Sequence, residues 1–417
     1  MFRLVRRAVS RQFDSRSPTK SAMSLKRFTS VKNLRGLGRP LLKEFFERFD
    51  AELKAKKTPM PDETLENDDE YFKQLAVVFF SPKGLPDEMT RVLDAVVELA
   101  DDKGVENLTK AAKEKKLEID WAKKRTNLDI VMQVWLVDAE LMIERHNEHR
   151  LVRTTKFQYW GTKTPLADRV PFSPPTDEVI ELLRKSVDAW CIENHRGENT
   201  ATITKHEVEG EWWFLIQHGG MMSRLAESKG NQKTETLFYR PGKDDVVVYN
   251  VERDEIRIHT ESKGERVLYQ AEFGQRLRGD TYYFSERKNF VLNPLRDDLD
   301  NALSAEGLPD IKSIKLQEVE IWFGGDFDDR LVRKSDDMVA SATQRSTPDK
   351  IVKALMDGGM LVRAVFELEF ANSKKPRKVT LRPPDVLNVG RHGDVKAVQN
   401  WLSKRNFRDV EGNGSGA

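Results

Sequence analysis

The stretch Glu211-Trp212-Trp213-Phe214-Leu215-Ile216-Gln217 decides the fold class. Its five apolar residues run without polar interruption, the pattern of a strand covered on both faces. Upstream, 202–206 has strand composition, and Val208-Glu209-Gly210 between the two gives a hairpin signal. Downstream, 233–239, 246–249 and 255–260 continue as strands, with Pro241-Gly242 marking a turn. Further strands are expected at 281–284, 314–323 and 361–370. Thr176, followed by Asp177 and Glu178, starts a helix that runs to about 194. A second helix spans about 264–277. These elements make 176–346 an α+β domain with a mainly antiparallel sheet. The Asp-, Ser- and Thr-rich region 325–347 reads as a loop.

The chain before this domain is helical. Leu41, Leu42, Phe45, Phe46, Phe49 and Leu53 repeat on one helical face, and Pro40 suits a first turn. Helices are also expected from Asn67 to before Pro82, from Pro86 to a stop at Gly104, over 107–116, and over 127–145. Together they predict an all-α bundle over 40–150. The stretch 151–175 holds Pro165, Pro171, Pro174 and Pro175 and reads as a Pro-rich linker. After 346 come a helix, two strands around a basic tip, and a final helix from Asp394. This basic helix–hairpin–helix module, 347–408, resembles a winged-helix unit in element order. Residues 1–39 read as a basic arm and 409–417 as a flexible tail.

The formal net charge of +2 is a cancellation. Residues 1–42 carry a net +10, residues 374–408 a net +8, 43–373 a net −14 and 409–417 a net −2. Two basic ends flanking an acidic body point to a polyanionic partner for the ends. Lys374, Lys375, Arg377, Lys378, Arg382, Lys404 and Arg405 are therefore the expected nucleic-acid contacts. The single cysteine, Cys191, forbids an intrachain disulfide and excludes sites that need several thiolates. No apolar run is long enough to span a bilayer, so no membrane partner is expected. Cytoplasmic location is the expectation. Residues 1–22, rich in Arg and Ser and poor in acids, leave a mitochondrial matrix transit peptide as the alternative.

Most catalytic patterns are incomplete. Glu144, His146, Glu148 and His149 lack the i, i+4 histidine spacing of helical zinc sites and read as a polar helix end. Cys191 and His195 sit at the wrong end of a helix for an activated thiol. His218-Gly219-Gly220 has no nucleophile elbow to serve and reads as a turn. Asp326, Asp328 and Asp329 lack the Glu that closes an EF-hand loop. No phosphate-binding loop is present. The aromatic pairs, from Trp212 and Trp213 to Tyr282, Tyr283 and Phe284, lie in the acidic body and read as core. One arrangement carries an enzymatic alternative. If 246–249 and 255–260 form a hairpin, Asp244 and Asp245 flank Glu261, with Lys263 following. Such a set could hold Mg²⁺ and activate water in a nuclease or phosphodiesterase.

The sequence thus predicts an α+β protein and a non-enzymatic adaptor or regulatory role. It expects a protein partner, and nucleic acid contacted through the basic C-terminal module, with no cofactor. The alternatives are the Mg²⁺-dependent nuclease and a structural subunit of a larger assembly.

Overall fold

The computed structural model describes residues 25–408, apart from 63, 81–84, 120, 122–124, 153, 163, 165–168, 170, 230–232, 286–289, 348–349, 372, 374 and 391. The chain divides into two compact units, Met1–His149 and Arg150–Ala417.

The first unit is helical. Its helices are α1 (Val31–Leu37), α2 (Arg39–Glu47), α3 (Asp50–Ala55), α4 (Asp68–Phe80), α5 (Asp87–Leu99), α6 (Asp102–Glu114), α7 (Asn127–Val137) and α8 (Ala139–Val152). Phe45, Phe49 and Trp135 form a contiguous aromatic group, with Phe49 and Trp135 stacked at 5.8 Å. Phe28, Phe46 and Phe79 extend the same core. The helix expected to run from Pro40 past Leu53 is broken at Arg48–Phe49, and the 127–145 helix is broken at Asp138. At the second break the chain caps a new helix, because the Asp138 side chain accepts from Leu141 N at 2.9 Å. Gly104 does not end α5 but lies inside α6, where the Asp101 side chain accepts its N–H at 2.8 Å.

The second unit is built on a ten-stranded sheet. Its strands are β1 (Lys156–Trp160), β2 (Thr202–Val208), β3 (Glu211–Gly219), β6 (Gly242–Asn250), β7 (Glu255–His259), β8 (Ile311–Gly324), β9 (Asp329–Lys334), β10 (Met360–Phe370), β11 (Arg377–Arg382) and β12 (Val386–Val389). They lie in the order β2-β3-β6-β7-β1-β12-β11-β10-β8-β9, and every neighbouring pair is antiparallel. A separate ribbon pairs β4 (Ser223–Lys229) with β5 (Lys233–Tyr239). The structure is therefore α+β, a helical region followed by a large antiparallel sheet.

Alternation along the strands assigns the two sheet faces. One face is apolar along its length and is covered by α11 (Pro294–Asp297), α12 (Leu299–Ala302), α13 (Met338–Thr343), α14 (Ile351–Met356) and α15 (Val395–Lys404). Trp401 of α15 anchors it, packed on Phe366 and Phe407 and donating its indole N–H to Ala302 O at 3.1 Å. The other face is covered only over half the sheet. There α9 (Asp177–Glu193) and α10 (Lys263–Arg278) pack on Phe214, Ile216, Val247, Tyr249, Ile256 and Ile258. The strand β3, one in from the sheet edge, is sandwiched between both clusters, which is why its sequence does not alternate.

Several expectations need correction. The 151–175 stretch contains β1, a central strand that pairs with both β7 and β12. Residues 281–284 form turns, not a strand. The 325–347 region carries β9 and α13. The strands of the 347–408 module are interior strands of the common sheet and share its core. They do not form a free-standing hairpin between two helices.

Candidate functional site

The four residues of the nuclease alternative do not gather. β7 ends at His259, opposite Val246, so the ladder stops before it reaches Glu261. Asp244 and Asp245 face opposite sides of β6 and pair with Gln217 and Ile216 of β3. Asp244 accepts from Arg150 and, at 3.0 Å, from Gln217 Nε2. Glu261 is exposed and pairs with Lys243 Nζ at 2.9 Å. Lys263 opens α10. The Mg²⁺ set Asp244, Asp245, Glu261 and Lys263 is thus divided among three local environments.

A different group converges under α9 and α10. β3 contributes His218, β6 contributes Asp245 and α10 contributes Glu265, and all three are buried. His218 Nε2 lies 3.0 Å from Asp245 Oδ2 and 3.7 Å from Glu265 Oε1. His218 Nδ1 donates to Gly219 O at 2.9 Å. Tyr269 Oη donates to the same Asp245 oxygen at 2.8 Å. Glu265 is held by Arg196, by Thr260 Oγ1 at 2.5 Å and by Ser262 N at 3.3 Å. Ser262 and Glu265 form a capping box, so the helix start itself orients the carboxylate. Cys191 of α9 is buried in the apolar cluster on the same sheet face.

The electrostatics of this group are mutual. Burial penalises the His218 imidazolium. Hydrogen bonds to Asp245 and Gly219 O, with the Asp245 charge, outweigh that penalty and push its pKa up to about 10. Burial also works against the Glu265 carboxylate. Thr260, Ser262, Arg196 and Lys243 overcome it and hold Glu265 below the ordinary carboxyl value. Tyr269 is raised, first by burial and then by the neighbouring Asp245. Both ring nitrogens of His218 face acceptors, so the ring carries both protons. The group then holds two cations, His218 and Arg196, against two anions.

The basic C-terminal residues fall into two classes. Arg377 is bound to Asp394 and lies over the Phe370 ring. Arg405 is buried and donates to Ser304 O, Asn301 Oδ1 and Glu306 O, so it clips the loop after α12. Lys404 Nζ donates to Gly307 O at 3.0 Å. Lys375, Lys378 and Arg382 are exposed, whereas Lys374 lies outside the described residues, as do residues 1–22. Lys378 and Arg382 alternate with the core residues Val379 and Leu381, so they point to the half of the sheet face that α9 and α10 leave uncovered. Lys315 of β8 projects there too, between Ile314 and Leu316 of the opposite core. On the same surface Arg363 pairs with Glu318 and Glu320, Arg330 with Glu320, and Lys334 with Glu318. Lys315, Lys378 and Arg382 make no ion pair among the described residues.

The remaining candidates resolve locally. His146 pairs with Glu98 and His149 lies 3.0 Å from Asp101, so neither shares a ligand position with Glu144 or Glu148. Asp328 is paired with Arg330 at an exposed turn. Cys191 is buried, whereas His195 is exposed at the helix end. Trp213 and Phe214 are core, while Phe238 and Tyr282 are exposed. Met221, Met222, Leu225, Leu237 and Phe238 expose apolar surface on and beside the β4–β5 ribbon. The convergence of His218, Asp245 and Glu265 was not apparent from sequence spacing. The readable signal was a charged residue, Asp245, directly before the Val-Val-Val-Tyr run of a doubly covered strand. No known protein family matches the sequence, and no match to it was found among curated proteins.

Proposed function

We propose that the protein is a non-enzymatic binding protein that contacts nucleic acid through the uncovered half of its sheet. One observation carries this reading. On that surface Glu318 and Glu320 are paired with Arg330, Lys334 and Arg363, Glu367 stands between Lys315 and Lys378 in the ladder, and with Arg382 the basic side chains outnumber these acids. Surface cations in excess bind phosphate by releasing its counterions, without reading sequence. The group around His218 supports the non-enzymatic part of the reading. Its side chains are sealed from solvent, so a polymeric substrate has no route to them.

The role assigned to the C-terminal module narrows accordingly. Lys375, Lys378 and Arg382 are its phosphate contacts, joined by Lys315. Arg377, Lys404 and Arg405 hold the fold. The exposed apolar ribbon β4–β5 favours a protein partner as a second contact, since an isolated two-stranded ribbon is marginal in water.

The test is fluorescence anisotropy of labelled single-stranded and duplex oligonucleotides over a salt series. Wild-type binding that weakens with salt, and that Lys315→Glu with Lys378→Glu and Arg382→Glu removes, is the expected result. Unchanged binding in the triple variant would overturn the assignment of the surface. No binding at low salt would overturn the function.

A further inference from the structure

We propose that two copies of this chain join edge to edge through β9, antiparallel about a two-fold axis at Leu331. β9 closes one end of the ten-stranded sheet and pairs on one side only, with β8. Every residue from 325 to 334 is exposed, Leu331 by 40% and Val332 by 52%. The opposite edge strand, β2, is half-buried over most of its length, and its Lys205 Nζ donates to Pro175 O at 2.8 Å. An uncovered edge presents a row of N–H and C=O groups that a further strand satisfies. β9 contains no proline to prevent this.

The β8–β9 ladder determines which backbone groups face outward. Ser335 N donates to Gln317 O at 2.9 Å, and these two residues stand opposite each other as the register continues. Hydrogen-bonded pairs recur at every second residue of an antiparallel ladder, so Leu331 and Arg333 turn their backbone groups to β8. Those of Arg330, Val332 and Lys334 point away from it. A second strand must hydrogen-bond to these three, and a two-fold pairing aligns them with their own copies. Two registers do this while keeping most of β9 paired, one with the axis at Leu331 and one with the axis at Val332.

Charge selects between them. An axis at Val332 sets Arg330 opposite Lys334 of the second copy, and like charges directly opposite are destabilising. An axis at Leu331 sets Asp329 opposite Arg333 of the second copy on both sides, with the two Leu331 side chains facing each other between these pairs. Such non-hydrogen-bonded positions bring side chains closest together. Within the chain the ion pairs of β9 belong to Arg330 and Lys334, so among the described residues Asp329 and Arg333 make none. The strand is thus complementary to itself in one register. Cross-strand partners share a sheet face, so the uncovered faces of the two copies join into one surface.

The experiment is sedimentation velocity of the full chain, freed of nucleic acid, over a concentration series. The wild type is expected to shift from monomer to dimer as concentration rises. Val332→Pro removes an outward N–H and no bond to β8, so it should stay monomeric with a near-wild-type circular dichroism spectrum. Asp329→Arg and Arg333→Asp should each be monomeric alone, because each places like charges opposite. Their equimolar mixture should form a one-to-one dimer, because both cross-strand pairs are then opposite in charge. If Val332→Pro does not fold, the mixture decides. A wild type that is monomeric up to its solubility limit would overturn the dimer. A dimer that Val332→Pro leaves intact would overturn the β9 seam. A wild-type dimer with no association in the mixture would overturn the Leu331 register. None of these outcomes touches the nucleic-acid reading, which rests on side chains outside β9.

Discussion

Arg257 and Glu211 meet across β7 and β3 in two parallel hydrogen bonds of 2.8 and 2.6 Å, with the guanidinium set against the Phe157 and Trp213 rings. Arg257 is 2% exposed. Burial of a guanidinium is tolerated here because the carboxylate and two ring faces replace its water.

Removing one partner strands the other charge in the core. Arg257→Met should therefore destabilise the fold by about 3 kcal/mol or more. Glu211→Gln should cost less, since an amide oxygen still accepts. A double change to Met and Leu should recover much of the loss, because a buried pair often breaks even with apolar isosteres. Urea unfolding of the three variants measures the coupling. Equal losses in all of them would contradict it.

Gly104→Ala should be destabilising, although alanine is the better helix former by about 1 kcal/mol. The Cβ would lie 2.3 Å from Leu99 O, a backbone atom that closes the preceding helix. A lowered thermal midpoint is the expected readout.

Asp138 links pH to stability. Its carboxylate accepts from Leu141 N, which holds it below the ordinary value against the opposing effect of burial, with Lys115 helping. A group whose folded pKa is depressed stabilises the fold above its unfolded pKa. That contribution is lost as pH falls through the folded value. The stability gap between wild type and Asp138→Asn should be full at pH above the ordinary value of 3.8 and shrink in more acidic solution. Urea midpoints at several acidic pH values measure it.

The basic residues should separate by readout. Lys378→Ala with Arg382→Ala should lower the slope of log affinity against log salt by about two, one for each phosphate that is no longer neutralised. Arg405→Ala should leave that slope unchanged and lower the unfolding midpoint, because its three partners are protein atoms. A reversed pattern would exchange the roles of these residues.

Local signals were readable where a single element determined the outcome. The doubly buried β3 announced itself through Trp-Trp-Phe-Leu-Ile, Thr176 marks a helix start that the structure keeps, and the helix expected over about 264–277 forms as α10. β1 was hidden because its five residues sit beside a proline-rich stretch, although Phe157 and Tyr159 do alternate with Lys156 and Gln158. Register was harder to read. Placing Glu261 opposite Asp244 assumes that β7 continues, but Ser262 caps α10 and the chain leaves the ladder at His259. The His218, Asp245 and Glu265 group depends on how β3, β6 and α10 come together. No spacing along one element encodes that meeting.

The sheet's middle joint sets a timetable for folding. β1 is the first strand of the second unit to be made and pairs with β12, the last, and Gln158 contacts Asp385 across 227 residues. Until β12 arrives, one edge of β1 has no native neighbour, and an unpaired edge invites pairing with another chain. Closing so long a loop late makes for a slow folding step. The ten strands become one sheet only when β12 returns to the start of the second unit.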